Sequence, residues 1–262
     1  MGHPLHNSHA IDVIAFVVGY EQEFSREVVD SLKALKETMA GSYPVFSTAA
    51  RMEILVKNNT MTTSSNEVSG IFMQSLADNG KPAWTLRAQN NNIVVTCHGT
   101  NYTTWRGVSS KAIADLKTVA TIVADNQNPF SFVALQVVDR FIQVEKDSYA
   151  IGQVFNPESK YLTKMACEAG KLWHVHQGWF QDVLGEESTN SLNVLKISTN
   201  DTPPGILTTI DHNSKISLSP PKQADESAND ALLATLFDQL HGNNKEIVTD
   251  LLNVSQRETI SI

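Results

Sequence analysis

The chain has 262 residues, of which 41% are hydrophobic and 18% are charged, and its formal net charge is −8 at pH 7. This length suffices for one large domain or two modest ones, with a core that needs neither disulfides nor a metal for stability. The acidic balance argues against a nucleic-acid partner, because such proteins present a basic surface.

Location and cofactor use are predicted from what the sequence lacks. The longest apolar run, near "IDVIAFVVGY", contains Asp12 and is shorter than a membrane helix requires. The first residues lack the basic and apolar regions of a signal peptide, and Cys97 and Cys167 do not require a disulfide. No glycine-rich phosphate motif occurs. We therefore expect a cytoplasmic protein with no membrane association and no cofactor.

The first half of the chain is predicted to contain several strands and two helices. "AIDVIAFVVGY" is rich in β-branched residues and favours a strand, and "SREVVDSLKALKETMAG" shows helical spacing between Ser25 and Gly41. A strand in "YPVFSTAARMEILVKNN" precedes a meander of "SGIFMQSLAD", "PAWTLRAQ" and "NIVVTCH", in which Asp, Asn and Gly form the turns. "NYTTWRGVSSKAIADLKTVATIVAD" is the second helix.

The second half repeats this theme loosely. "PFSFVALQVVDRFIQVE" alternates only in part, which predicts a strand in the centre of a sheet. A short helix in "PESKYLTKMACEAG" precedes three strands in "KLWHVHQGWF", "SLNVLKIS" and "GILTTIDHN", and "LSPPKQADES" is a polar connection. "NDALLATLFDQLHGNNKEIVTDLLNVSQRE" is a closing helix that residues 242–244 are expected to kink or split.

The order of elements predicts an α+β fold. Strands in consecutive groups between a few helices favour mostly antiparallel sheet, with a long C-terminal helix packed on it. We expect an N-terminal α+β lobe at residues 1–150 and a C-terminal α+β lobe, ending in a helix, at residues 151–262. One continuous domain is the alternative.

His174 and His176 raise the question of a metal site. Residues i and i+2 of a strand share a face, so both imidazoles point away from the more apolar face of Trp173 and Trp179, which is expected to face the core. A zinc site needs at least a third protein ligand. No spacing in the sequence demands one from the candidates Cys97, His98, Cys167, Asp182, Asp211 and His212. We predict no metal here but a strand with two partly exposed histidines on the non-core face, which are also candidate binding residues. A metal pair and a pH-sensitive contact are the alternatives.

Tyr102, Trp105 and Arg106 form an aromatic and basic cluster at the start of the second long helix. These three residue types are favoured as anchors of protein interfaces, so the cluster is a candidate binding site. The alternative is packing at the helix start, with an exposed arginine.

Catalytic residues are not predicted. Cys97 and His98 are adjacent on a strand, as are Asp211 and His212, and adjacent strand residues face opposite ways. Neither pair can act as a nucleophile and base through sequence proximity alone. The sequence also lacks G-x-S-x-G and H-E-x-x-H motifs.

The chain resembles a sporadically distributed family of uncharacterised conserved prokaryotic proteins of similar length. The likeness lies in "AIDVIAFVVGY", "PAWTLRAQNNNIVVTCHGTNYTTWRG", "VALQVVDRFIQV", "GILTTIDHN" and "LFDQLHGNNKEIV", and covers most of the chain. The resemblance implies an α+β protein with a long closing helix in a cytoplasmic setting. It implies no particular activity and no catalytic residues, and the sporadic distribution suggests genes linked to mobile elements or phage defence.

These observations favour a non-enzymatic interaction protein that binds a protein partner or associates with itself as a homo-oligomer. Two alternatives are a metal-dependent hydrolase or nuclease that uses His174 and His176, and a module that binds a small molecule between the sheet and the closing helix.

Overall fold

The computed structural model describes residues 2–6, 8–57, 60–125, 127–182 and 190–262, and for residues 51–57 and 60–67 it describes the backbone alone. Over these residues the chain forms an α+β fold on one antiparallel sheet of ten strands, which confirms the predicted class. The strands are β1 (His3–Pro4), β2 (Ile11–Tyr20), β3 (Val45–Lys57), β4 (Thr60–Leu76), β5 (Pro82–Gln89), β6 (Asn92–His98), β7 (Phe130–Gln143), β8 (His174–Asp182), β9 (Asn190–Thr202) and β10 (Gly205–Lys222). The helices are α1 (Arg26–Leu32), α2 (Leu35–Thr38), α3 (Trp105–Ala124), α4 (Lys164–Glu168), α5 (Asp230–Leu251) and α6 (Val254–Ile260).

Strands β2 and β7 lie side by side in the middle of the sheet and pair antiparallel. From β2 the sheet continues through β6, β5 and β4 to β3, and from β7 it continues through β10 and β9 to β8. Strand β1 pairs with the end of β7. In each half the central strand, β2 or β7, is followed by the outer strands in order from the edge of the sheet inwards, and then by a long helix, α3 or α5.

The long helices cover one face of the sheet and enclose two hydrophobic clusters. In the first, Phe16 of β2 packs with Leu116 of α3 and Phe237 of α5. In the second, Ile210 of β10 packs with Val248 of α5. Helix α5 contributes to both clusters, and each large side chain buried there stabilises the fold by about 1.5–3 kcal/mol.

The opposite face of the sheet, which we call the open face, carries side chains that none of the described helices covers. Val17 and Val94 are half-buried on it, while Arg87 and Phe180 are exposed. The strand register places one row of side chains across this face, in the order Phe180, Leu192, Lys215, Ala134, Val17, Val94 and Arg87.

Three predicted elements differ in the structure. The helix expected over residues 25–41 is two short helices, α1 and α2, separated at residues 33–34. Strand β10 extends to Lys222, into the predicted polar connection. Helix α5 runs through Gly242 without a break and ends at Leu251, and the last part of the expected closing helix is the separate α6. Packing of α5 on β7 and β10 outweighs the cost of about 1 kcal/mol for a helical glycine.

The boundary predicted near residue 150 falls in the connection between β7 and α4. The sheet itself passes without interruption from the first half to the second through β2 and β7. The division into two lobes stays a prediction.

None of the helices formed by the described residues combines the length and apolar character needed to cross a membrane.

Candidate ligand pocket around Asp139

A buried carboxyl group interrupts the core at the boundary between the two clusters. Asp139 lies on β7 between Val137, which belongs to the first cluster, and Phe141, which belongs to the second. Residues 137, 139 and 141 share a face because strand side chains alternate. In the register Asp139 pairs with Ile11 of β2 and Ile210 of β10, so it is in the middle of the sheet on the helix-covered face.

Asp139 opens onto a cavity of about 440 Å³, which we call the seam cavity. It lies between the sheet, the N-terminal segment, the loop that precedes α3, and helices α5 and α6. Its lining consists of residues 8–11, 102–104 and 260–262 together with Asp139, His241, Asn244, Lys245 and Val248. The volume is within the range of about 300–1,000 Å³ that is typical of small-molecule sites.

The Asp139 side chain is almost completely buried and lacks a partner among the described residues. Only 4% of the residue is exposed, and none of the hydrogen bonds and ion pairs found among the described residues involves its carboxyl group. Burial raises the pKa of this carboxyl to about 7, because a charged group loses its hydration in the protein interior. A buried carboxyl group with a perturbed pKa beside a cavity is typical of a functional site.

Two histidines line the seam cavity with unsatisfied ring nitrogens. The Nδ1 atoms of His9 and His241 are buried and have no hydrogen-bond partner among the described residues. Burial is the main cause that lowers the pKa of both rings. The charge of His6 lowers the pKa of His9 further, against a hydrogen bond to the Ile11 backbone, and Lys245 lowers the pKa of His241 against the charge of Asp238. Both rings are therefore neutral near pH 7.

The helical periodicity of α5 places His241 on the side of the helix that faces the sheet. Residues 237, 241, 244 and 248 recur at intervals of three or four, so they share the face that points at the sheet. The His241 ring stacks on Trp105 of α3 with 3.9 Å between the ring centroids and 8° between the planes. Trp105 Nε1 also donates to Asp238 Oδ1 at 2.7 Å, which links α3 to α5 beside the cavity.

Tyr102 contributes an aromatic ring to the lining of the cavity. It lies just before α3, whose N-terminus is capped by Thr104 Oγ1 accepting from the Gly107 N–H at 3.2 Å. The centroids of the Tyr102 and His9 rings are 5.2 Å apart. Burial, together with the negative charge of Asp139, raises the pKa of Tyr102 to about 12.

Asn244 connects the cavity to a buried polar network between α5 and the strands β9 and β10. Its Oδ1 is 2.9 Å from Nδ1 of His212, whose Nε2 lies 3.1 Å from Oδ1 of Asn193. Ser214 and Asn243 also donate to that Asn193 oxygen, at 2.8 and 2.7 Å. These bonds fix the side of α5 that faces the cavity.

The structure divides the predicted aromatic and basic cluster. Tyr102 lines the seam cavity, and Trp105 supports it through His241. Arg106 is exposed on the first turn of α3 and is not part of the cavity lining. The role of all three in binding stays a prediction.

His174 and His176 lie elsewhere, on the edge strand β8. Both are exposed and share the open face, while Trp173 packs into the second cluster as the alternation predicts. Among the described residues, no group of three His, Cys, Asp or Glu side chains is arranged to hold a metal ion. The register places Lys196 between His176 and Asp211, and its positive charge opposes a cation there.

Of the pocket residues, Tyr102 was proposed from the sequence and the others were missed. Asp139 has a visible signal, since it is an acidic residue at a core-facing position of an apolar strand. His9, His241 and Asn244 come from distant parts of the chain and have no common motif.

Comparison with protein-family models finds no match for this chain, and comparison with curated proteins finds none either.

Proposed function

We propose that this protein binds a small organic molecule in the seam cavity, with Asp139 as its polar anchor. The observation that carries this proposal is a carboxyl group that is 4% exposed, has no protein donor among the described residues, and opens onto a cavity of about 440 Å³. An unsatisfied buried polar group costs about 1–3 kcal/mol, and more if it is charged. A ligand that supplies the missing donor recovers that cost on binding.

A screen by thermal shift tests this proposal. We expect at least one compound of a broad library to raise the melting temperature, because a ligand of the native state stabilises it. Thr103→Trp places an indole at the exposed rim of the cavity and should abolish the shift. Thr100→Trp is the matched control, since Thr100 is exposed in the same loop and is not part of the cavity lining. A library without a single binder would contradict the proposal.

Self-association is a second candidate, and it is supported by the edge strand β8. This strand ends the sheet, and its outer edge pairs with none of the described strands. Phe180 is 73% exposed there, and Asp182 is the strand's only acidic or basic residue other than histidine. Natural edge strands are usually protected by lysine or proline, so an edge of this kind suits pairing with the β8 strand of a second copy.

The mass of the particle in solution, measured by light scattering over a range of concentrations, tests this second candidate. We expect a dimer that Phe180→Lys weakens. Val144→Lys is the control, because Val144 is 65% exposed and follows β7. A monomer at every concentration would rule out self-association. A heterologous protein partner and the link to phage defence or mobile elements stay predictions.

A further inference from the structure

Resting on the ligand-binding function above, we propose that the seam cavity selects small organic cations, namely amines whose ammonium group donates to the Asp139 carboxylate while an aromatic body fills the cavity.

The described basic side chains do not neutralise the Asp139 carboxylate, so a cationic ligand can. Among the described basic side chains, Arg140 faces the other side of β7 and pairs with Asp12 at 2.5 Å, and Lys111 pairs with Asp115 at 2.7 Å. Lys245 lines the cavity but is exposed to solvent. No basic side chain of the described residues pairs with Asp139, so its negative charge is uncompensated. A cationic ligand supplies the missing charge where the low polarity of the site strengthens the attraction.

The other unsatisfied atoms favour a ligand with several N–H donors. A neutral imidazole protonated at Nε2 presents Nδ1 as an acceptor, and His9 and His241 each have an unpartnered Nδ1 among the described residues. Together with the Asp139 oxygens, these two nitrogens give the lining acceptors that have no partner among the described residues. An ammonium group has three N–H donors and no acceptor, which matches this set.

The apolar side chains of the lining favour a ligand whose remaining part is apolar. Ile11, Val248 and Ile260 contribute aliphatic surface, and Tyr102 contributes an aromatic ring. A ligand with an aromatic ring and a short alkyl chain places apolar surface against these side chains while its amine reaches Asp139. A carboxylate or phosphate ligand would instead bring a second negative charge beside Asp139.

Calorimetry with three compounds of the same shape tests the selection of cations. Tryptamine, tryptophol and indole-3-propionate share an indole ring and differ in carrying an ammonium, a hydroxyl or a carboxylate group. At pH 8 we expect tryptamine to bind at least about tenfold more tightly than tryptophol, and indole-3-propionate to bind most weakly. Asp139→Asn should remove the preference, so that the affinities for tryptamine and tryptophol come within about threefold of each other.

The pH dependence gives a second, independent measurement on the wild-type protein. The pKa of Asp139 is about 7, so the affinity for tryptamine should rise about tenfold from pH 6 to pH 8 as the carboxyl ionises. The other titratable side chains in the cavity lining are His9 on the N-terminal segment, Tyr102 before α3, and His241 and Lys245 on α5. Burial lowers the pKa of both histidines, and the same titration of Asp139→Asn shows any contribution that they make to the pH dependence.

The outcomes separate the inference from the function on which it rests. Tryptophol or indole-3-propionate binding as tightly as tryptamine, or a preference that survives Asp139→Asn in a folded variant, would overturn cation selection and leave ligand binding in place. A protein that binds neither these three compounds nor any member of the broad library would overturn both.

Discussion

The carboxyl group of Asp139 occupies a position that the fold would fill with an apolar side chain. Its neighbours on the same face of β7, Val137 and Phe141, are buried in the two clusters. A buried carboxyl without a donor destabilises the folded state, and proteins tolerate such groups mainly where function needs them. Stability and binding should therefore respond in opposite directions to its removal.

Asp139→Asn should stabilise the protein in a pH-dependent way. The folded-state pKa of about 7 lies above the ordinary value of 3.8, so the folded protein keeps a proton that the unfolded chain loses. The contribution of Asp139 to wild-type stability should fall as pH rises from about 4 to 7 and then level off, by up to about 4 kcal/mol in total. The variant lacks this loss, and we expect it to be more stable by about 2–4 kcal/mol at pH 8 and nearly equal at pH 4.

Urea unfolding at several pH values measures this difference. Asp78→Asn, in an exposed turn, is the control and should change the free energy of unfolding by less than about 0.5 kcal/mol. A wild-type protein whose stability relative to Asp139→Asn does not depend on pH would contradict the assignment of a buried, proton-binding Asp139.

At the scale of elements, helix α5 decides the shape of the pocket. It packs on β7 and β10 and presents His241 and Asn244 to the cavity. Buried hydrogen bonds to Asn193 help to hold α5 on the second half of the sheet. Asn193 is a residue of β9 with no exposed surface. Loss of those bonds should weaken the packing of α5 on the sheet.

Asn193→Ala should destabilise the protein by about 2–3 kcal/mol. The change leaves Ser214 and Asn243 without their common acceptor and creates a small void. Asn190→Ala, at the exposed start of the same strand, should have almost no effect. Chemical denaturation compares the two variants, and equal stabilities would show that the network does not hold α5 on the sheet.

Replacing both histidines of β8 by alanine should leave the protein nearly unchanged. His174 and His176 are exposed, and the described residues offer no third ligand, so we expect a stability change below about 0.5 kcal/mol. Elemental analysis of untagged protein should likewise give the same metal content before and after the change. Stoichiometric zinc that is lost in the double variant would support the alternative function of a metal-dependent hydrolase or nuclease.

At the scale of the whole molecule, the continuous sheet joins both halves of the chain. Strand β2 pairs with β7 from Ile11 to Tyr20, and α5 belongs to both hydrophobic clusters. Disrupting either half exposes apolar surface of the other. We expect the two predicted lobes to unfold together as one cooperative unit.

Incorporation of 5-fluorotryptophan tests this cooperativity without a mutation. Trp84 and Trp105 report on the first half, and Trp173 and Trp179 report on the second. Their fluorine resonances should lose native intensity at the same urea concentration, in step with far-UV circular dichroism. Two separate transitions, one for each pair, would instead support two independent lobes.

Local patterns in the sequence determined the elements and the class of fold. Alternation and helical spacing located nine of the ten described strands and the long helices α3 and α5, because these periodicities depend only on which face of an element is buried. They also placed Trp173 in the core and His174 outside it. They failed where packing outweighs local preference, as at Gly242, where α5 continues despite the glycine.

Only the tertiary structure decided where a ligand can bind. The seam cavity combines His9, Tyr102, Asp139 and His241, which are separated by up to 232 residues and converge because β2, β7 and α5 meet at the centre of the molecule. The sequence showed an acidic residue within an apolar strand, but its burial and its lack of a donor depend on neighbours from other strands and from α5. The free-energy cost of burying a charge depends on its three-dimensional surroundings, and the spacing of residues along the sequence does not reveal those surroundings.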